Sequence, residues 1–275
     1  MGGEAEAPDI WIDPDADLTI KYTSGTTGTP KGYLRTHRQL IMVSAINLMH
    51  IPTGGNDRVT ISGPLAAGSA LSMLALYVLA GATMVLLPKF DETDLLGTIG
   101  WEAVTVAYAN GAVFRRFAFH ADLERFDLSS LRVFSGSSSS PTANLPQGLR
   151  NIRDQGSFHR HFSSAFASTE AGGRISYLMP EDCRRALANP EDEILLQSIG
   201  REALHCRVES LDEDLHPMPR GEVGRMAIKS PTLFKGYWNK PEDTAKAIQD
   251  GWLLTGDLMR KDEAGFCFMA GRLAT

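Results

Sequence analysis

Apolar and polar positions alternate along residues 17–22, Asp-Leu-Thr-Ile-Lys-Tyr, the period-two signature of a half-buried strand. Small residues fill 23–32. Thr36 and Gln39 then stand three apart, the spacing of a capping box, and predict a helix over His37–His50. Residues 59–61 read as a short strand. Residues 65–87 carry no charge, and Gly81 divides them into a helix and a β-type run, Thr83–Leu87, stopped by Pro88. Helices are predicted over 91–100 and 110–120, and strands over 103–106 and 131–134. A further helix is predicted from Pro141 to about residue 151, its Pro suited to a first turn. Strands alternating with helices imply crossover units, hence an α/β fold with a largely parallel sheet flanked by helices.

The rhythm changes near residue 195. Short Val/Ile/Leu-rich runs punctuated by Gly, Pro and Asp follow, with strands expected over 204–208, 222–228 and 266–269 and one helix over 241–249. The expected organisation is an acidic lead or linker over 1–17, an α/β subdomain over 18–195 and a smaller, mainly β subdomain over 196–272. The uncharged stretch 65–87 is about long enough to cross a bilayer. It lacks flanking basic or aromatic belts, so a buried helix followed by a buried strand is expected, with no stable membrane span. Trp238 and Trp252 are expected as core anchors.

The 275 residues are 43% hydrophobic and 22% charged, an ordinary globular profile. A net charge of −6, with no Lys/Arg cluster, argues against a nucleic-acid surface. The start combines Met1-Gly2-Gly3 with acidic residues rather than a basic segment and an apolar core, so no secretory leader is expected. Cys183, Cys206 and Cys267 are far apart and form no Cys-x-x-Cys pair, which reads as buried or half-buried thiols in a reducing, cytoplasmic setting. The seven histidines show no metal-ligand spacing.

The strongest chemical signal is the segment from Tyr22 to Gly32, Tyr-Thr-Ser-Gly-Thr-Thr-Gly-Thr-Pro-Lys-Gly. Glycines let backbone N–H groups approach an anion, hydroxyls add donors and Lys31 adds positive charge. Such a loop, read here as joining a strand to a helix, suits a polyphosphate. It is not a Walker A loop, because Gly28 is followed by Thr-Pro-Lys. Composition alone also allows a flexible Gly/Thr linker.

This segment resembles the phosphate-binding signature of the adenylate-forming superfamily: acyl-CoA synthetases, aryl-CoA ligases, luciferases and the adenylation domains of peptide synthetases. The superfamily's other motifs have counterparts in the same order. Phe166-Ala167-Ser168-Thr169-Glu170 resembles Tyr-Gly-x-Thr-Glu, and Ser198-Ile199-Gly200-Arg201 resembles its Ser-x-Gly-x-Pro/Arg element. Gly221-Glu222-Val223 and the run from Gly236 to Glu242 resemble the Gly-Glu-Leu and Gly-Tyr-x-x-x-Pro-Glu motifs. Thr255-Gly256-Asp257 resembles Thr-Gly-Asp, and Gly271-Arg272 resembles the hinge arginine.

The resemblance implies that a carboxylate attacks the α-phosphate of ATP, pyrophosphate leaves, and a thiol takes the acyl group from the acyl-adenylate. The thiol would be that of coenzyme A or of a carrier-protein phosphopantetheine. By the same resemblance, Thr23, Ser24, Gly25, Thr26, Thr27, Gly28 and Lys31 surround the β- and γ-phosphates, offsetting the repulsion between two anions. Thr169 donates to the α-phosphate, and Glu170 holds Mg²⁺, a hard cation that prefers oxygen ligands. Asp257 accepts the ribose hydroxyls and Arg272 approaches them. Phe166 replaces the tyrosine against adenine, with Ala167 and Ser168 beside it. Ala66, Ala67, Gly136, Ser137 and Ser138 fall where the superfamily lines its acyl pocket. Here Pro64-Leu65-Ala66-Ala67-Gly68 lacks the usual aromatic, Ser137–Ser140 replaces Gly-Gly-Ala-Pro, and Ala167 replaces glycine.

Superfamily members carry roughly 150 or more residues before the phosphate loop and roughly 100 after the hinge, domain-sized pieces. The latter supply a catalytic lysine, so this stretch alone is expected to be weakly active or inactive. The leading reading is a carboxylic acid–coenzyme A ligase, possible in fatty-acid metabolism. The alternatives are an adenylation domain that loads a carrier protein and a truncated nucleotide-binding pseudoenzyme.

Overall fold

The computed structural model describes residues 9–23, 30–62, 68–87, 90–137, 145–153 and 162–273. Strand β1 (Asp17–Thr23) pairs antiparallel with β2 (Lys31–Thr36), with Thr23 opposite Lys31. The phosphate-loop segment therefore joins two strands of a hairpin, not a strand to a helix as the sequence suggested. β2 went unread because its Lys-Gly start continues the small-residue run. It leads directly into α1 (His37–His50), whose capping box is complete: Thr36 Oγ1 accepts from Gln39 N, and Gln39 Oε1 accepts from Thr36 N.

Next come β3 (Arg58–Ser62), α2 (Gly68–Ala80), β4 (Thr83–Leu87), α3 (Glu92–Trp101), β5 (Val106–Asn110), α4 (Gly111–Ala118), β6 (Val133–Ser137) and α5 (Leu145–Arg153). β7 (Phe162–Ser168), β8 (Gly173–Leu178), α6 (Pro180–Ala188) and β9 (Arg201–Glu202) follow. These strands form one seven-stranded sheet in the order β4-β3-β5-β6-β7-β8-β9. The pairings from β4 to β7 are parallel, and those of β8 are antiparallel. The α/β reading thus holds, with several bounds corrected: the strand expected over 131–134 runs Val133–Ser137, that expected over 204–208 runs Arg207–Leu211, and the helix start expected at Pro141 lies outside the described residues. The strand expected over 103–106 begins at Val106, because Ala103 adopts a left-handed turn conformation (φ 47°).

The remaining elements are β10 (Arg207–Leu211), β11 (Val223–Lys229), β12 (Gly236–Tyr237), α7 (Pro241–Ala247), β13 (Ile248–Gln249), β14 (Trp252–Lys261) and β15 (Cys267–Arg272). β10, β11, β14, β13 and β15 make an antiparallel half-barrel sheet, the smaller β subdomain expected. β12 instead pairs with β2 and completes a third sheet, β1-β2-β12.

The α3–α5 face of the large sheet buries Phe117, Phe134 and Phe162, with Phe117 and Phe134 stacked at 4.8 Å. Each such fully buried side chain contributes about 1.5–3 kcal/mol. A second core joins β8 to the half-barrel through Ile175, Val208, Met226 and Leu253. Trp252 is in the core, whereas Trp238 is 44% exposed, against expectation. β12 is only two residues long, too short to draw Trp238 inward. All three cysteines are buried and unbridged, and burial pushes the Cys267 thiol up to about 12. No helix among the described residues is long and apolar enough to cross a membrane; α2 has 13 residues.

Candidate functional site

Glu170 sits on the turn between β7 and β8. Three consecutive carbonyl oxygens of that turn are held from three directions. Phe234 N donates to Glu170 O at 2.8 Å, Thr232 Oγ1 donates to Ala171 O at 2.8 Å, and Arg35 Nη2 donates to Gly172 O. Gly172 has φ 85°, and a Cβ there would lie 1.9 Å from the Thr232 carbonyl oxygen. Only glycine fits this crossing of two backbones.

The Glu170 side chain is oriented by β12: Tyr237 Oη donates to Glu170 Oε1 at 3.0 Å. Burial and the neighbouring carboxylate both raise the Tyr237 pKa, so the phenol remains a donor. Lys31 Nζ lies 5.2 Å from the centre of the Tyr237 ring and 3.2 Å from Asp243 Oδ2 on α7. β1–β2, the β7–β8 turn and β12–α7 thus bring a lysine, a phenol and a carboxylate together. Glu170 fits Mg²⁺ in its donor chemistry, since this ion takes one or two carboxylates plus substrate phosphate oxygens. No group of three or more His, Cys, Asp or Glu placed to hold a metal ion exists among the described residues.

Asp257 and Arg272 form a second group. They are register partners on β14 and β15, with Arg272 Nε 2.9 Å from Asp257 Oδ1. Asp257 is largely covered and Arg272 exposed. No hydrogen bond or ion pair among the described residues links this pair to Glu170.

Beside the β7–β8 turn, β2, α1, α2 and β5 border a half-open cavity of about 310 Å³. Among the described residues, Ala167, Ser168 and Thr169 line it, as do two arginines, and no acidic side chain does. Arg35 is 4% exposed and donates to Ser72 Oγ at 2.9 Å as well as to Gly172 O. Arg174 is 6% exposed; its Nη1 and Nη2 are sealed from solvent, and the polar group that acts on them among the described residues is the Tyr177 hydroxyl. Its guanidinium lies 4.8 Å from the Tyr108 ring centre and 6.0 Å from that of Tyr177.

Phe166, expected at the nucleotide, is 5% exposed and packs in the core that joins the two large sheets. Gly136 lies mid-sheet between Ala109 and Ser164. Ser137 ends β6. Ser24, Gly25, Thr26, Thr27 and Gly28, with Ala66, Ala67 and Ser138, lie outside the described residues. Four residues with defined roles in this geometry were not singled out by sequence: Tyr237, Arg35, Arg174 and Thr232. Tyr237 was legible in principle, inside the Gly-Tyr-Trp-Asn-Lys-Pro-Glu run. The others carry no local signal.

A mixed α/β sheet joined to an antiparallel half-barrel, with Thr-Glu on the β7–β8 turn of that sheet, is the architecture of the adenylate-forming superfamily. The chain belongs to the AMP-binding enzyme family, whose profile matches residues 3–238. It is 33% identical over 263 residues to the medium/long-chain-fatty-acid–CoA ligase FadD8 of Mycobacterium tuberculosis, covering 95% of this chain and 43% of that one. It is 30% identical over 273 residues to the indoleacetate–CoA ligase of Aromatoleum aromaticum, covering 98% and 50%. The inhibitor-bound N-terminal domain of FACL13 from Mycobacterium tuberculosis superposes with a TM-score of 0.83 at 27% identity, covering 97% of this chain and 63% of that one. The chain spans about half the length of the curated relatives it matches.

Proposed function

We propose that this chain is the nucleotide- and acid-binding part of an AMP-forming acid–thiol ligase. The enzyme would convert a carboxylic acid and ATP into an acyl-adenylate and pyrophosphate, then pass the acyl group to coenzyme A. The observation that carries this reading is the meeting of Lys31, Tyr237 and Glu170, which come from three separate parts of the chain.

Lys31 and the donors of residues 23–28 would hold the triphosphate tail and offset its charge as the acid approaches. Thr169 would donate to the α-phosphate. Glu170 would supply a carboxylate oxygen to Mg²⁺, whose contribution is to neutralise phosphate charge. Asp257 offers acceptor oxygens to the ribose hydroxyls, with Arg272 steadying it. Residues 18–195 would carry the phosphate loop and acid site, and 196–272 the ribose site. The likeness to fatty-acid–CoA and indoleacetate–CoA ligases supports coenzyme A as the acceptor. This stretch alone is expected to turn over slowly.

ATP–pyrophosphate exchange tests the reading, using the longest natural chain that contains these residues and a panel of carboxylic acids. Acid-dependent exchange that disappears in Glu170→Gln is the expected result. Exchange promoted by no acid would sink it.

A further inference from the structure

Lys31 does not wait for a nucleotide with its charge bare. Its Nζ lies 3.2 Å from Asp243 Oδ2 and 5.2 Å from the centre of the Tyr237 ring. The two partners come from different elements, Lys31 from the start of β2 and Asp243 from the first turn of α7. Neither is sealed: their side chains keep 20% and 29% of their accessible surface. An anion from solvent can therefore reach the ammonium, and an ion pair of this exposure is readily exchanged.

The carboxylate is the fixed member of the pair. Thr244, beside it in α7, accepts from Tyr237 N at 2.9 Å through Oγ1 and donates to Lys240 O at 2.9 Å. These bonds tie the first turn of α7 to the strand that bears Tyr237. Lys31 is the movable member, a point charge on a flexible four-carbon stem. Asp243 also keeps a cation when Lys31 turns away, because Lys240 Nζ lies 4.0 Å from the same Oδ2. The field of Asp243 reaches the phenol that orients Glu170. Burial, Glu170 and Asp243 all raise the Tyr237 pKa.

We propose that Asp243 is a positioning residue of the phosphate site: it holds Lys31 while the site is empty and competes with a bound polyphosphate for that ammonium, which limits how tightly pyrophosphate is retained. This inference rests on the acid-activating reading, in which Lys31 serves the triphosphate tail. One positive charge shared between two anions serves each less well than it would serve either alone. As pyrophosphate leaves, Asp243 retakes the lysine. Product release limits turnover in many enzymes, and a site of cations alone would hold the leaving group as firmly as the tail it came from.

The test is titration calorimetry with inorganic pyrophosphate, which needs no turnover, on the longest natural chain containing these residues. Asp243→Asn keeps the shape and an acceptor oxygen but removes the charge. It should tighten pyrophosphate about fivefold at low salt, and the gain should shrink as ionic strength rises. Asp243→Glu keeps the charge and should stay within about twofold of the wild type. Lys31→Ala should weaken binding. In that background Asp243→Asn should change affinity by less than about twofold, since the competition acts through Lys31. A merely structural ion pair gives no gain in affinity in either background.

Pyrophosphate binding that weakens in Lys31→Ala but is no tighter in Asp243→Asn overturns the proposal and leaves the reading beneath it standing. An equal gain in the Lys31→Ala background is direct repulsion and also overturns it. So does an Asp243→Asn protein that fails to fold, which makes Asp243 a structural anchor. Binding that Lys31→Ala leaves intact removes Lys31 from the phosphates, and the proposal with it. A gain that depends on Lys31, with pyrophosphate exchange promoted by no acid, keeps the competition and removes the acid-activating reading.

Discussion

Tyr237 Oη reaches Glu170 Oε1 at 3.0 Å across 67 residues of chain, and the same ring lies against Lys31. Tyr237→Phe keeps the ring and removes the donor. Acid-dependent pyrophosphate exchange should fall about tenfold, with a stability loss of about 1 kcal/mol by urea denaturation. Undiminished exchange would mean that Glu170 needs no such orienting bond.

Gly172 and Gly221 share almost the same backbone conformation, φ 85° and φ 87°, in opposite surroundings. A Cβ at Gly172 strikes the Thr232 carbonyl oxygen, whereas at Gly221 nothing lies within 4 Å. Gly221→Ala should therefore cost only the conformational term, about 1–2 kcal/mol. Gly172→Ala should cost at least about 3 kcal/mol and also weaken nucleotide binding. Equal unfolding midpoints for the two variants would refute the backbone contact.

The Asp257–Arg272 pair has one covered and one exposed partner. Exposed ion pairs contribute about 0–1 kcal/mol, so Arg272→Ala should leave the unfolding midpoint nearly unchanged. If the pair faces the ribose, Asp257→Asn should raise the AMP dissociation constant by about tenfold or more, with Arg272→Ala smaller. Titration calorimetry with AMP distinguishes this from a purely structural pair, for which neither variant changes affinity.

His50 stacks on Tyr177 at 4.0 Å, and its Nε2 accepts from Leu204 N at 3.2 Å, which requires a neutral ring nitrogen. Burial, helped by the charge of Arg174, lowers its pKa below 6.5. The unfolded chain therefore binds this proton at a higher pH than the folded one. The stability contribution is full above about pH 6.5 and is lost as pH falls through the lower folded value. Urea midpoints measured from pH 8 to pH 5 should decline for the wild type. His50→Gln should flatten that decline; an unaltered slope would assign it to other groups.

Lys261 is 6% exposed and lies 3.0 Å from Glu202 and 3.4 Å from Glu209, with Val208 O at 3.0 Å. Lys261→Met strands Glu209, although Arg220 at 3.1 Å compensates in part. The expected loss is about 2–4 kcal/mol, below the full cost of breaking an isolated buried pair. A loss under about 1 kcal/mol would show that Arg220, with Arg207 at 3.6 Å from Glu209, suffices.

Local chemistry made some of this fold readable in advance. The Thr36/Gln39 cap announces α1, and the Val/Leu run of Thr83–Leu87 announces β4. β7 was not legible, because Phe-Ser-Ser-Ala-Phe-Ala-Ser has no β-branched residue and is buried on both faces. β14 was hidden by the Thr-Gly-Asp in its middle. The ordered motifs exposed the site's carboxylates and Lys31. Arg174 gave no warning, since its burial among Tyr77, Tyr108 and Tyr177 is a product of tertiary packing that no local periodicity encodes.

The turn bearing Glu170 is fastened by Phe234, Thr232 and Arg35, residues drawn from both ends of the chain. It cannot swing as an independent flap. Its carboxylate is stationed before any nucleotide arrives, so little ordering entropy remains to be lost there on binding. The Phe234 amide, which donates to Glu170 O, should exchange hydrogen as slowly as those of the sheet interior, with or without ligand.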